Sequence, residues 1–169
     1  EKKVMLHKVS IAGLTMDPAS NTPIIILKSD DDEQAVPIWI GLLEATSIAS
    51  ALQDIKYDRP MTHDLLKNFA DNLQISIVKV EVCDLKDNTF YARIYFVSKD
   101  QSFDIDARPS DAIALALRFK APIYVEDSVM QKSKINDGEA EVVDTSEEGK
   151  KWADYLANLS SDDFGKYKV

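Results

Sequence analysis

Short runs of aliphatic residues, separated by polar turns, fill the first part of the chain. Residues 4–14, 23–28 and 35–40 are rich in valine, isoleucine and leucine, which is typical of strands. The acidic stretch between the second and third runs predicts a hairpin loop. Pro37 has no N–H to donate to a neighbouring strand, so it predicts a bulge or a sheet edge in the third strand.

Apolar residues at helical spacing follow Gly41 and Thr62. Gly41 predicts the end of a strand and the start of a helix, and Thr62 predicts an N-cap with Asp64 at the positive end of the helix dipole. In the first helix the residues at helical spacing are Ala45, Ile48, Ala49 and Leu52. In the second helix the pattern predicts a buried stripe of Leu65, Leu66, Phe69 and Leu73.

Three more strands are predicted further along the chain, at residues 75–84, 90–98 and 102–107. A two-residue loop at Lys99 and Asp100 fixes the register of the last two strands and places Arg93 opposite Asp106. This pairing gives Asp106 a structural partner that needs no catalysis. On the other face we expect a core formed by the pairs Phe96 with Phe103, Ile94 with Ile105 and Ala92 with Ala107.

The turn at residues 86–89 joins the first two of these strands. We expect an irregular loop or bulge there, because only such a shift puts Val80 and Val82 on the same face as Ile94 and Phe96. A plain two-residue turn at this place would contradict the prediction.

The segment from residue 112 to 117 is apolar at every position, which a helix with one side in water would not tolerate. We therefore expect a helix at residues 110–119 packed between the sheet and another layer. Together the patterns predict an α+β fold, with one mixed, largely antiparallel sheet packed by helices. The predicted domain covers residues 1–130. Residues 131–169 form an acidic C-terminal extension with a possible short helix carrying Trp152, Tyr155, Leu156 and Leu159.

Composition restricts the classes of function. The chain of 169 residues has a net charge of −9, so sequence-independent wrapping of duplex nucleic acid is disfavoured. No apolar run approaches the roughly 20 residues that span a bilayer, and we expect a soluble, cytoplasmic protein with no membrane partner. Cys83 is the one cysteine, and we interpret it as a small buried hydrophobe without chemistry.

Four sequence blocks occur together and in order: PIWIGLLEA, RPMTHDLL, TFYARIYF and DARPSDAIALALR. With them the chain resembles the bifunctional nuclease domain family over roughly residues 4–130. The resemblance implies an α+β fold, a homo-oligomer, and degradation of both RNA and DNA. It implies no defined catalytic mechanism. From apolar surface that a small α+β domain cannot cover alone, we expect the homo-oligomer to be most simply a dimer.

The same blocks contain the side chains that a phosphodiester hydrolase needs. Carboxylates could ligate Mg²⁺ or Mn²⁺, a histidine could act as general base, and arginines could hold phosphate. The predicted catalytic residues are His63, Asp64, Asp104, Asp106 and Asp111. The predicted substrate-binding residues are Arg59, Arg93 and Arg108. The possible metal ligands are Glu44, Asp64, Asp104 and Asp106.

A second interpretation explains the same residues without catalysis. Residues of a first helical turn often serve as caps, and arginines can neutralise aspartates in structural ion pairs. The chain would then be a non-enzymatic homo-oligomeric binding or regulatory module that uses the same polar cleft. Convergence of His63 with Asp104 or Asp106 around an open pocket would favour the nuclease, and saturation of every carboxylate by arginines would favour the binding module.

Overall fold

The computed structural model describes residues 4–136, which form one sheet of seven strands and four helices. This confirms the predicted α+β class. The predicted helix with Trp152 and Tyr155 lies outside the described residues. In chain order the elements are β1 (Leu6–Asp17), β2 (Thr22–Ser29), β3 (Ala35–Trp39), α1 (Leu42–Leu52), α2 (Thr62–Asn72), β4 (Ser76–Lys86), β5 (Thr89–Val97), β6 (Ser102–Ala107), α3 (Pro109–Phe119), β7 (Ile123–Glu126) and α4 (Asp127–Asn136).

The strand order across the sheet is β3-β2-β1-β7-β4-β5-β6. Every neighbouring pair is antiparallel except β4 with β7, so the sheet is mixed and largely antiparallel, as predicted. Pro37 lies on β3, which is an edge strand and tolerates a residue without an N–H. No helix within residues 4–136 is long and apolar enough to cross a bilayer.

Helix α3 lies between two layers. Its segment from Ala112 to Ala116 is buried, and it packs against β4 and β5 on one side and against α1 and α2 on the other. Pro109 occupies the first turn, where its missing N–H would have had no helical partner. Lys120 ends the helix in the left-handed conformation at φ 54°. The prediction of a covered apolar helix is confirmed.

The β5–β6 hairpin has the predicted register, with Arg93 opposite Asp106 and Ile94 opposite Ile105. The Ser98 N–H donates to the Gln101 carbonyl at 2.8 Å, which closes the short loop. The expectation of a core on both strands is wrong for β6, because Ile105 is half-exposed while Ile94 is buried. As the last strand of the sheet, β6 reaches beyond the helices that cover β4 and β5.

The predicted irregular turn between β4 and β5 is also wrong. Lys86 pairs with Thr89, so Asp87 and Asn88 form a plain two-residue turn with φ of 49° and 58°. Positive φ at both positions matches the twist of a hairpin. The register shifts instead inside β4, between Ile77 and Lys79 and between Val82 and Asp84. These shifts place Val80 and Val82 in the core with Ile94 and Phe96.

The apolar stripe of helix α2, which was predicted to be buried, faces solvent. Its Leu65 and Phe69 are 59% and 61% exposed, and Leu66 and Leu73 are exposed too. Ala70 is its one buried residue. The helix begins after Met61 rather than after Thr62, and the Asp64 carboxylate accepts the Met61 N–H at 3.1 Å. Residues 4–136 leave the stripe uncovered, because α2 contacts the rest of them through its polar side.

Helix α4 continues the packed body beyond the predicted boundary at residue 130. The short strand β7 ends at Glu126, and a helix begins directly after it at Asp127. Val129 and Met130 are buried in the main core, and Ser133 is buried as well. The packed part of the described chain therefore extends past residue 130.

Candidate functional site

A pocket of about 320 Å³ opens where α1, α2 and α3 meet. Gly41 lies two residues after the end of β3 and is the N-cap of α1. Arg108 follows β6 directly and is the N-cap of α3, so the sheet brings two polar helix starts together. The pocket is lined by Leu43, Glu44, Thr46, Ser47, Ser50, Tyr57, Met61, Thr62, His63, Arg108, Asp111 and Arg118.

His63 is held at both ring nitrogens in the wall of this pocket. Its Nδ1 lies 2.8 Å from Ser47 Oγ of α1, and its Nε2 lies 2.9 Å from Asp111 Oδ1 of α3. The side chain is 14% exposed, so the imidazole is shielded but still borders the pocket. Three helices therefore fix the orientation of one titratable ring.

The charge of Asp111 decides which nitrogen carries the proton. Burial raises the pKa of Asp111, but hydrogen bonds from Arg108 and His63 outweigh it and hold the pKa below the ordinary value. An ionised carboxylate only accepts hydrogen bonds, so Nε2 of His63 donates to it. The neutral ring then has a lone pair on Nδ1, and the Ser47 hydroxyl donates to that lone pair.

Arg108 joins the two helix starts. Its Nε donates to Asp111 Oδ2 at 2.8 Å and its Nη1 donates to Glu44 Oε1 at 2.6 Å. The hydrogen bond with Asp111 and the pairing with Glu44 raise the pKa of Arg108 further above its ordinary value. Gly41 leaves room for this pair, because a Cβ there would meet the carboxylate of Glu44.

A second pocket of about 260 Å³ lies on the other side of this ion pair. Glu44 and Arg108 line both pockets. The side chain of Arg108 is 64% exposed, so it can turn toward either pocket. The Arg108–Glu44 pair therefore separates two neighbouring concave surfaces.

Arg118 fixes α2 against α3 from below the pocket. Its side chain is only 8% exposed, and its Nε donates to Asp64 Oδ1 at 2.6 Å. Its Nη1 donates to the carbonyls of Ala114 at 3.0 Å and Ser47 at 3.3 Å. One buried guanidinium thus binds α1, α2 and α3 together and holds Ser47 and the start of α2 in place.

Comparison with known proteins identifies the family. A model of the bifunctional nuclease domain matches residues 25–138, more than half of the chain. The chain belongs to the bifunctional nuclease domain family. This confirms the resemblance stated from the four sequence blocks.

Relatives of this bifunctional nuclease domain fall into two groups. An uncharacterised protein of Mycobacterium tuberculosis is 35% identical over 164 residues, covering 94% of this chain and 98% of the relative. Bifunctional nuclease 1 of Arabidopsis thaliana is 29% identical over 124 residues, covering 71% of this chain and 38% of the relative. Bifunctional nuclease 1 of rice is 25% identical over 112 residues, covering 64% of this chain and 34% of the relative. The chain therefore spans little more than a third of the plant relatives it matches.

The bifunctional nuclease domain brings together only part of the predicted site. His63, Asp111, Arg108 and Glu44 border the pocket, and Asp64 lies just behind it on Arg118. The other predicted residues, which border neither pocket, are Arg59, Arg93, Asp104 and Asp106.

Neither aspartate of β6 is hydrogen-bonded to His63, whose partners are Ser47 and Asp111. Arg93 forms an ion pair with Asp104, diagonally across the hairpin, although Asp106 lies directly opposite it. The predicted Arg93–Asp106 balance is therefore corrected to Arg93–Asp104. Asp106 is exposed and makes no ion pair within residues 4–136, and Arg59 is exposed between α1 and α2.

Two residues of the site were missed by the sequence interpretation. Ser47 follows Glu44 by three positions, so both side chains lie on one face of α1, and this spacing could have indicated a common polar surface. Arg118 stands in the last turn of α3, directly after the apolar run at residues 112–117. A charged side chain in a covered helix needs a partner, so the position of Arg118 could have predicted an ion pair.

The carboxylates do not fit a divalent cation in their present pairing. Within residues 4–136 no three histidine, cysteine, aspartate or glutamate side chains converge as metal ligands. Glu44 and Asp111 are bound by Arg108, and Asp64 is bound by Arg118. One oxygen of each carboxylate, namely Glu44 Oε1, Asp64 Oδ1 and Asp111 Oδ2, already accepts a hydrogen bond from a guanidinium group.

Proposed function

We propose that this bifunctional nuclease domain hydrolyses phosphodiester bonds in RNA and DNA at the pocket between α1, α2 and α3. The observation that carries the proposal is His63, held in the pocket wall between the ionised Asp111 and a hydroxyl group. A base oriented by a carboxylate is the arrangement that general base catalysis uses near neutral pH. The plant relatives named bifunctional nucleases support the substrate class.

Arg108 is the proposed phosphate-binding residue. Two of its five N–H groups bind Asp111 and Glu44, which leaves others that can face a phosphate oxygen in the pocket. Because the chain carries a net charge of −9, capture of a nucleic acid would depend on this local positive charge. A phosphate bound there competes with Glu44 for the guanidinium.

The test is a cleavage assay on single-stranded and duplex RNA and DNA with Mg²⁺, with Mn²⁺ and with a chelator. His63→Gln removes the base and keeps a polar side chain, so we expect cleavage to fall by about a hundredfold or more. Assistance by a divalent metal would require one of the arginine-bound carboxylates to exchange its arginine partner for the cation, and loss of cleavage in the chelator would support it.

The chain offers a matched control in its second histidine. His7 also binds an aspartate, with its Nε2 2.8 Å from Asp127 Oδ1, but it lines neither pocket. His7→Gln should therefore cleave as the wild type does. Equal cleavage by His63→Gln and wild type would indicate a contaminating nuclease or another site, and absence of cleavage by the wild type on every substrate would reject the nuclease.

The binding or regulatory module remains the second candidate, and a specific observation favours it. Glu44, Asp64 and Asp111 are each neutralised by an arginine, as expected of that class for the carboxylates at the pocket, while Asp106 makes no ion pair within residues 4–136. If the wild type cleaves nothing but binds a mononucleotide in the pocket, this second function replaces the first. Isothermal titration of the wild type and of Arg108→Gln would show whether the pocket is the binding site.

We also propose that the domain works as a homodimer through α2. Four large apolar side chains project from one face of this helix into solvent, namely Leu65, Leu66, Phe69 and Leu73. A helix face can pack on its own copy across a two-fold axis, so we propose that a second copy of this chain covers the apolar face of α2. The opposite face of α2 carries His63, and assembly would therefore stiffen the element that positions the base.

A further inference from the structure

We propose that Ser47 is the nucleophile of this site and forms a covalent bond to phosphorus during phosphodiester cleavage. The inference deepens the proposed function and rests on it. Ser47 Oγ lies 2.8 Å from Nδ1 of His63, and the ring is oriented from its other side by Asp111 at 2.9 Å. A hydroxyl, a base within hydrogen-bond reach and a third group that orients the base form the arrangement of an activated nucleophile.

Occupation of both ring nitrogens distinguishes Ser47 from water. Nε2 faces Asp111 and Nδ1 faces Ser47, so an attacking water could reach the imidazole only by displacing one of them. The proton that His63 can take directly is therefore the one on Ser47. Since Asp111 is held ionised by Arg108, it also stabilises the imidazolium that forms when the ring takes this proton.

The surroundings of Ser47 hold it in place and leave room for a substrate. Its carbonyl accepts hydrogen bonds from Arg118 at 3.3 Å and from the Ser50 hydroxyl at 2.9 Å, which fixes this turn of α1. The residue lines the pocket of about 320 Å³ together with Arg108. A phosphate that binds Arg108 therefore enters the same pocket as the serine hydroxyl.

The reaction balances in two steps. Oγ of Ser47 bonds to phosphorus, one ester oxygen leaves, and the proton from Oγ passes through His63 to that leaving oxygen. In the second step His63 takes a proton from a water that has entered after the leaving group departs. This water attacks phosphorus, the bond from phosphorus to Oγ breaks, and Ser47 regains its proton. The products are a phosphate monoester and a free hydroxyl.

The test uses a fluorophosphonate as the probe, since it traps an activated serine by losing fluoride whatever the natural ester is. Intact mass and peptide mapping should show one adduct per chain, on Ser47, with the wild type. Ser47→Ala and His63→Gln should both lose the adduct, and Ser47→Ala should also lose about a hundredfold or more of nucleic-acid cleavage. Circular dichroism shows whether each variant folds. If Ser47→Ala does not fold, His63→Gln still tests the inference, because it keeps the serine and removes only the base that activates it.

The chain contains an internal control for the labelling. Ser10 is exposed and its hydroxyl donates to Asp30, so it has a carboxylate partner but no imidazole. It should stay unlabelled. If Ser47→Ala cleaves nucleic acid as fast as the wild type and the wild type forms no adduct, the inference is overturned. The nuclease would then stand, with water as the nucleophile. An adduct on Ser47 in a protein that cleaves no nucleic acid would support the nucleophile and overturn the phosphodiester substrate.

Discussion

Helices α2 and α3 both have 11 residues, but α2 is largely exposed and α3 is largely buried. Seven residues of α3 are buried, while Ala70 is the one buried residue of α2. Alanines alternate with larger aliphatic residues in α3, so a sheet and two helices can approach it closely. The large residues of α2 lie on one face that the described chain does not cover. An apolar stripe thus shows which face of a helix is suited to burial, but it does not show which part of the protein will cover that face.

The attachment between these two helices is polar. His63 of α2 binds Asp111 of α3, and Asp64 of α2 binds Arg118 of α3. Helix α2 therefore directs charged side chains toward the rest of the domain and apolar side chains toward solvent, which is the reverse of an ordinary surface helix. The candidate site lies in this polar joint, so its geometry depends on contacts that differ in kind from those of the core.

The largest expected effect comes from placing a charge in α3. Ala114 is fully buried, and Ala114→Asp puts a carboxylate there without a partner. We expect a loss of about 3–5 kcal/mol in the free energy of unfolding. Urea denaturation monitored by circular dichroism measures it. An unchanged unfolding midpoint would mean that α3 is not held between two layers.

Breaking the polar joint should have a smaller effect. Asp64→Ala leaves the buried guanidinium of Arg118 with two carbonyl acceptors and no counter-charge, which should reduce stability by about 1–3 kcal/mol. Asp71→Ala is the control on the same helix, because the exposed Lys67–Asp71 pair should contribute less than about 0.5 kcal/mol. Equal losses in the two variants would show that the joint contributes no more than a surface ion pair.

This difference explains what the sequence could and could not predict. Helix α3 and the β5–β6 register were predicted, because period and loop length are local properties. The exposure of α2 and the polar joint were not, since Ser47, His63, Asp111 and Arg118 meet only through tertiary packing. Asp104 and Asp106 looked equivalent to Asp111 as charges near a helix start. The pleat directs both away from the helix layer, where α2 brings His63 to Asp111.

Acid should weaken the joint in a defined direction. The folded state lowers the pKa of Asp111 below its ordinary value of 3.8, so its stabilising effect is complete above that value and is lost as the pH falls through the lower folded pKa. Asp111→Asn should lose about 1 kcal/mol at neutral pH, and its difference from wild type should shrink below about pH 4. Urea titrations between about pH 7 and pH 3 measure this. A difference that grows in acid would contradict the lowered pKa.

The smallest effect on folding should come from the uncovered face of α2, where the change in assembly should be large. In Leu66→Gln with Phe69→Gln, both side chains are already exposed, so unfolding of the dilute chain should change by less than about 0.5 kcal/mol. If a second copy covers this face, the wild type is a dimer in light scattering at micromolar concentration and the double variant is a monomer. Ile105→Gln, an exposed aliphatic on the edge strand β6, is the matched control and should remain dimeric. A monomeric wild type would reject the second copy as the occupant, and a monomeric Ile105 variant beside a dimeric α2 variant would move the interface to the sheet edge.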